Sequence, residues 1–125
     1  MPKASKATTP VKMDIPLAED RACQLDGYTV DFVTIRVDHD LAPMLASLPG
    51  GMCHCPHWGV MIKGRVTVQY ADREEVYEAG DAFYMAPGHT PSAVAGSELI
   101  QFSPTADQKA VNDAIMRNLA ALQGA

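Results

Sequence analysis

The chain has 125 residues, of which 47% are hydrophobic and 20% are charged. This length and composition are typical of one globular domain with a single core, and they exclude a two-domain enzyme and a disordered chain. Ten Lys and Arg against fifteen Asp and Glu leave a net charge of -5 at pH 7. Because an acidic chain does not attract a nucleic-acid backbone or an anionic membrane, we expect neither as a partner.

The first 16 residues mix prolines, lysines and hydroxyl residues without an apolar period. This pattern predicts a flexible N-terminal arm over residues 1 to 16. The arm contains no apolar signal-peptide core. No apolar stretch in the chain approaches the roughly 18 to 20 residues that cross a bilayer. We therefore expect a cytoplasmic location, with the three cysteines reduced.

Residues 17 to 104 carry short segments of β-branched and aromatic residues that alternate with turn residues. The predicted strands are residues 28 to 37, 58 to 62, 65 to 70, 74 to 78, 82 to 85, 92 to 95 and 98 to 102. A turn at Lys63 and Gly64 predicts that the second and third of these form a hairpin. Strands spaced by roughly 8 to 12 residues favour an all-β domain, either a sandwich or a barrel.

The C-terminal segment changes to a helical period. Ser103 is the predicted N-cap of a helix, and Pro104 is its predicted first residue. An apolar stripe follows at Val111, Ile115, Leu119 and Leu122. These features predict an amphipathic helix over residues 105 to 125 that packs on the barrel or on a partner subunit.

The strongest chemical signal is the segment from Cys53 to His57, which places two cysteines and two histidines within five positions. Thiolate and imidazole groups suit zinc, copper or iron, whereas magnesium and calcium prefer oxygen ligands. Strand alternation would place Cys53, Cys55 and His57 on one face and His54 on the other. The first three are therefore the predicted ligands, and His54 is the alternative to any of them.

The predicted metal site requires a bend in the chain and a fourth ligand. A fully extended strand would spread the three ligands over roughly 13 Å, so Pro56 must bend the chain for them to converge. The predicted fourth ligand is His89, in the turn after the strand at residues 82 to 85. His39 is a weaker candidate because it lies in an acidic turn.

Two alternative hypotheses explain this segment without a metal. Cys53 and Cys55 can be redox-active thiols with low pKa values beside a histidine. They can also be small buried hydrophobic residues, with the histidines bonded to the backbone. Cys23 lies alone in the sequence and is predicted to serve in packing.

Two aromatic residues are candidates for the wall of a small-molecule pocket. Trp58 directly follows His57, and Tyr84 lies on the predicted strand that leads to His89. Trp58 is equally consistent with a role as core filler.

The strand pattern and the spacing of these residues resemble the cupin family, a double-stranded β-helix (jelly roll) with two sequence motifs. Gly64 matches the closing glycine of the first motif, which places His57 at its glutamate position and Cys53 at its second histidine position. Gly80 and Gly88 match two glycines of the second motif. The histidine of that motif would fall at residue 91, two positions after His89.

This resemblance, which covers residues 50 to 102, implies a cupin barrel, a divalent transition metal, a small-molecule substrate or ligand, and a homodimer. Zinc is the first choice of metal, and iron, copper and nickel are alternatives. We expect either a metal-dependent oxygenase, isomerase or lyase, or a non-enzymatic sensor with a structural site. A thiol-redox protein is the third hypothesis. No separate general acid or base is recognisable near the cysteines and histidines in the sequence.

Overall fold

The computed structural model of the protein describes residues 3 to 123. The terminal residues of the predicted arm (1 and 2) and of the predicted helix (124 and 125) lie outside this range. The strands are β1 (Val11–Ile15), β2 (Ala18–Leu25), β3 (Tyr28–Ile35), β4 (His39–Asp40), β5 (His57–Lys63), β6 (Arg65–Gln69), β7 (Glu74–Glu78), β8 (Ala82–Met85), β9 (Thr90–Ala93) and β10 (Glu98–Pro104). The α-helices are α1 (Ala42–Leu45) and α2 (Thr105–Gln123).

The strands form two antiparallel sheets. One has six strands in the order β1-β2-β3-β10-β5-β8, and the other has four in the order β4-β9-β6-β7. Inward side chains of both sheets form one core, which comprises Met61, Val66, Val68, Tyr70, Tyr77, Phe83, Met85 and Leu99. The predicted all-β fold with a C-terminal helix is therefore confirmed.

The predicted hairpin around Gly64 is wrong. Strand β5 pairs with β10 and β8, whereas β6 pairs with β7 and β9 in the other sheet. Gly64 has a φ of 77°, and a Cβ atom there would lie 2.2 Å from the Ser97 hydroxyl oxygen. The chain therefore changes sheets at a close approach that only glycine permits.

The segment predicted as a flexible arm contains an ordered strand. Strand β1 pairs with β2 over most of its length, with an irregularity between Val11 and Met13. Its side chains are anchored by ion pairs, since Lys12 contacts two aspartates and Asp14 contacts Arg36. This tertiary pairing supplies the order that the local sequence does not signal.

Helix α2 packs mainly against α1 and contributes to the wall of the interior cavity. Val111 packs against Leu45 of α1 in a second cluster, which also includes Cys53 and Cys55. The predicted stripe is only partly buried, because Leu122 is exposed. None of the described helices combines the length and apolar character needed to cross a membrane.

Candidate metal centre

Three of the four predicted ligands converge in the interior. The side-chain ligand atoms of Cys53, His57 and His89 all lie within 4.8 Å of one another, and all three residues are buried. His57 is the first residue of β5, whereas Cys53 and His89 lie in loops and pair as an isolated β-bridge. We call these three residues the Cys/His/His cluster.

The ring of His57 is held from the side that faces away from the cluster. Its Nδ1 atom lies 2.6 Å from the Ser103 hydroxyl oxygen, and its Nε2 atom lies 3.7 Å from the Cys53 sulfur. Ser103 is fully buried at the end of β10. The predicted role of Ser103 as a helix N-cap is therefore wrong. Ser103 belongs to β10 and contacts His57 on the neighbouring strand β5.

The ring of His89 has one nitrogen bonded and one free. Its Nδ1 atom donates a hydrogen bond to the Ala86 carbonyl oxygen, which fixes the proton on Nδ1. Its buried Nε2 atom has no hydrogen-bond partner among the described residues. Since a buried polar atom without a partner is costly, this lone pair fits the role of a metal ligand.

The protonation states of both histidines suit a metal. Burial, and secondly the nearby His89, lower the pKa of His57 to about 3. Burial also lowers the pKa of His89. Both rings are therefore neutral at pH 7, which is the form that coordinates a metal. Burial raises the pKa of Cys53 to about 11, so its thiol must lose a proton on metal binding.

The geometry of the cluster can be compared with a tetrahedral site. Metal–sulfur and metal–nitrogen bonds of about 2.3 and 2.0 Å place a thiolate sulfur and an imidazole nitrogen about 3.5 Å apart at the tetrahedral angle. The distance from the Cys53 sulfur to His57 Nε2 is 3.7 Å. The residues present therefore fit a transition metal, with three ligands from the protein.

Cys55 does not belong to the cluster. Its sulfur lies 3.5 Å from the Gln108 side-chain oxygen, and its side chain packs beside Leu45 and Val111. Strand alternation predicts that Cys55 shares a face with Cys53 and His57. This does not apply, because β5 begins only at His57 and residues 53 to 56 are not an extended strand. His54 is exposed and bonds to the Pro49 carbonyl oxygen.

Trp58 and Tyr84 do not line the interior, contrary to the sequence-based prediction. They pair across β5 and β8, their ring centres lie 5.1 Å apart, and both are exposed. The reason is the period of two along a strand: His57 faces the interior, so Trp58 faces outward, and its partner Tyr84 does the same.

The Cys/His/His cluster forms part of the wall of a cavity of about 240 Å³. Most of the wall is apolar and includes Val33, Met61, Phe83, Met85 and Leu99. The polar and titratable side chains of the wall include Lys12, Asp20, His39, Tyr77, Gln101 and Gln108. A volume of this size accommodates a small molecule.

Sequence reasoning missed several of these residues. The sequence pattern predicts Ser103 at the helix terminus and Lys12 in a flexible arm. Asp20 and Asp31 are aspartates at inward positions of β2 and β3, and Asp31 lies between two apolar residues. An acidic residue inside an apolar strand was the available signal for a buried carboxyl group.

The two facing antiparallel sheets form a small β-sandwich. The Cys/His/His cluster in its interior is a candidate metal site. No protein-family model and no curated protein matches this chain in sequence comparisons. Solved structures do match its fold, and they include an RmlC-like cupin from Shewanella frigidimarina NCIMB 400. This match has 15% identity and a TM-score of 0.56, and it covers 81% of this chain and 88% of that chain. The protein therefore has a cupin fold, as the sequence motifs implied.

Two other structures show that this fold occurs in proteins with different chemistry. The polyketide cyclase RemF from Streptomyces resistomycificus matches with 12% identity and a TM-score of 0.60, covering 83% of this chain and 79% of that chain. The structure of FeII HppE matches with 8% identity and a TM-score of 0.57, covering 82% of this chain and 60% of that chain. At these identities the likeness extends to the fold alone.

Proposed function

We propose that the protein is a metal-dependent enzyme that acts on a small, largely apolar molecule in the interior cavity. Cys53, His57 and His89 hold a divalent transition metal, with zinc as the first choice and iron, copper or nickel as alternatives. The observation that carries this proposal is the buried Nε2 atom of His89, which has no hydrogen-bond partner among the described residues and lies beside the Cys53 sulfur and His57 Nε2.

The number of ligands favours an enzyme over a structural site. Structural zinc sites are closed by four protein ligands, whereas catalytic sites keep three and leave a position for water or substrate. Cys55 is turned toward Gln108, so the described residues supply only three cysteine and histidine ligands here. The cluster also lies in the cavity wall, where a fourth position is accessible to a small molecule.

Neighbouring groups of the protein orient the proposed ligands and line the cavity around them. Ser103 and the Ala86 carbonyl oxygen orient the two imidazole rings so that both Nε2 atoms are available. Apolar side chains such as Met61 and Phe83 exclude water and strengthen electrostatic interactions inside the cavity. When bound, a divalent metal supplies Lewis acidity and lowers the pKa of a coordinated water.

The second candidate is a non-enzymatic sensor that binds a metal or a small ligand. The same cavity supports ligand binding without turnover, so this candidate differs only in the fate of the ligand. A thiol-redox function is disfavoured. Burial raises the pKa of Cys53 to about 11 and that of Cys55 to about 12, and reactive cysteines need the opposite shift.

The metal proposal is tested by elemental analysis of protein purified without a histidine tag. We compare the wild type with Cys53→Ser and with the matched control Cys55→Ser. The wild type should contain close to one transition metal ion per chain. Cys53→Ser should lose most of it, whereas Cys55→Ser should retain it because Cys55 lies outside the cluster.

A second pair of variants tests the histidines in the same way. His89→Ala should lose the metal, and His54→Ala should retain it, since His54 is exposed and bonded to backbone. Equal metal content in all five proteins would contradict the site. Metal loss in the Cys55 and His54 controls alone would show that the chain uses a different ligand set. If the metal is confirmed, turnover of small carbonyl and hydroxy compounds separates the enzyme from the sensor.

A further inference from the structure

A second group of charged residues lies in the same cavity, away from the Cys/His/His cluster. The Lys12 ammonium group lies 3.2 Å from one oxygen of Asp20 and 3.0 Å from one oxygen of Asp31. Asp31 is fully buried, and Asp20 is 8% exposed. The irregular pairing between Val11 and Met13 is a bulge-like distortion, which turns Lys12 toward these two carboxyl groups.

The charges of this group do not balance unless a proton is added. Two buried carboxylates beside one partly exposed ammonium group carry a net charge of -1, which is costly. The second oxygen of each aspartate is buried and has no hydrogen-bond partner among the described residues. Because both carboxyl groups contact the same Lys12 ammonium group, they are close neighbours, and one added proton neutralises the group.

We propose that Asp20 and Asp31 share one proton, and that Asp20 is the acid–base group of the cavity toward a bound ligand. Asp20 lines the cavity, as does Lys12, whereas Asp31 lies behind them. In the forward direction the pair donates its proton to an oxygen of the ligand and becomes doubly ionised, with Lys12 as counter-ion. In the reverse direction the doubly ionised pair removes a proton from the ligand and again holds one shared proton.

The position of Asp20 in the sheet indicates which part of a ligand it meets. Strand β2 lies three strands from β5 in the same sheet, which corresponds to about 14 Å at the usual strand spacing. Asp20 therefore meets the end of the ligand that is remote from the Cys/His/His cluster. The ligand class that fits is an elongated, mostly apolar molecule with an oxygen-bearing group at each end.

The ionisation behaviour of the pair agrees with this geometry. Burial, and secondly the charge of Asp31, raise the pKa of Asp20 to about 7, although Lys12 acts in the opposite direction. A carboxyl group that titrates near neutral pH is suited to acid–base chemistry. The other titratable groups in the cavity wall are His39, Cys53, His57, Tyr77 and His89.

The role of Asp20 toward a substrate rests on the proposed function, but the shared proton does not. The pair is therefore tested first in the full chain after removal of metal with a chelator. Carbon-13 NMR of the aspartate carboxyl groups follows the titration from pH 4 to 9. We expect one titration near pH 7 that disappears in Asp20→Asn and moves to lower pH in Asp31→Asn. The exposed control Asp72→Asn should leave it unchanged.

A chemical probe tests whether the shared proton is reachable from the cavity. Diisopropylcarbodiimide is small and apolar, and it modifies protonated carboxyl groups. Peptide mass spectrometry should find it on Asp20 at pH 6, several-fold less at pH 8.5, and not on Asp72. Titration of Asp20 below about pH 5 would overturn the shared proton. Titration near pH 7 without modification would overturn the acid–base role. Neither result depends on metal content, so failure here is distinguishable from failure of the metal proposal.

Discussion

Cys53 and His89 are joined through their backbones as well as through their proposed common ligand. The Cys53 amide donates to the His89 carbonyl oxygen at 2.8 Å, and the His89 amide donates to the Cys53 carbonyl oxygen at 3.1 Å. This two-residue bridge holds a thiol and an imidazole together before any ligand binds. Since ligands held in place lose little conformational freedom, such a bridge strengthens metal binding.

We predict that Ser103→Ala weakens metal binding without removing a ligand. The substitution leaves His57 Nδ1 without its partner, so the ring is less well oriented toward the site. Loss of such a supporting contact typically costs about 10-fold to 100-fold in metal affinity, and the unpaired buried nitrogen costs about 1 to 3 kcal/mol of stability. Competition with a chromophoric chelator measures the affinity.

Ser97→Ala is the matched control for Ser103→Ala. Ser97 is equally buried and bonds to the Arg65 backbone, far from the histidines in the hydrogen-bond network. It should lose stability but keep the wild-type metal affinity. Equal affinity loss in both variants would mean that the effect of Ser103 is general destabilisation.

We predict that Gly64→Ala destabilises the fold by about 2 to 4 kcal/mol, because it combines a positive φ with a steric clash against Ser97. Gly80→Ala is the control, since Gly80 has a φ of 92° but no atom within 4 Å of the added Cβ. Urea unfolding of both variants separates the two contributions. If both lose the same free energy of unfolding, the close approach at the sheet crossing contributes nothing.

We predict that the free energy of unfolding falls as the pH rises from about 4 to 7. The folded state keeps a proton on Asp20, whose pKa is raised to about 7, whereas the unfolded chain releases it near the ordinary value of 3.8. The folded state therefore binds more protons in this range, and raising the pH removes that stabilisation. Urea titrations at several pH values should show this slope, and Asp20→Asn should flatten it. A variant whose stability falls with pH as steeply as that of the wild type would contradict the shift.

We predict a homodimer that forms through the outer face of the six-stranded sheet. Six large apolar side chains are exposed there: Tyr28, Trp58, Val60, Ile62, Tyr84 and Phe102. An exposed apolar patch of this kind is typical of an interaction surface. A second copy is the fitting occupant, because a two-fold axis places this face against itself and no like charges meet among these six side chains.

Light scattering after size exclusion measures the mass of the wild type and of Trp58→Arg. The wild type should have twice the chain mass, and the variant should be monomeric with unchanged metal content, because Trp58 faces away from the cavity. Arg73→Ala, an exposed change in the turn between β6 and β7, should leave the dimer intact. A monomeric wild type at high concentration would contradict the prediction.

The sequence by itself determined most strands from residue 28 onward, the C-terminal helix and the segment that carries the cysteines and histidines, but not β1, β2 or β4. These features depend on local periodicity and composition, which are visible in one chain. The motif spacing was also sufficient to identify the cupin fold. Strand alternation over residues 53 to 57 predicts Cys55 on the same face as Cys53 and His57, whereas the fold turns its sulfur toward Gln108, a contact that no local pattern encodes.

Only the tertiary structure decided which side chains meet. Ser103 contacts His57 because β10 lies beside β5, and Asp20 meets Asp31 because β2 lies beside β3. Such contacts join residues that are far apart in sequence, and they depend on strand order, on register and on one irregular pairing at Lys12. A shift of one residue in register would turn each of these side chains to the opposite face of the sheet, so the site exists only in the folded protein.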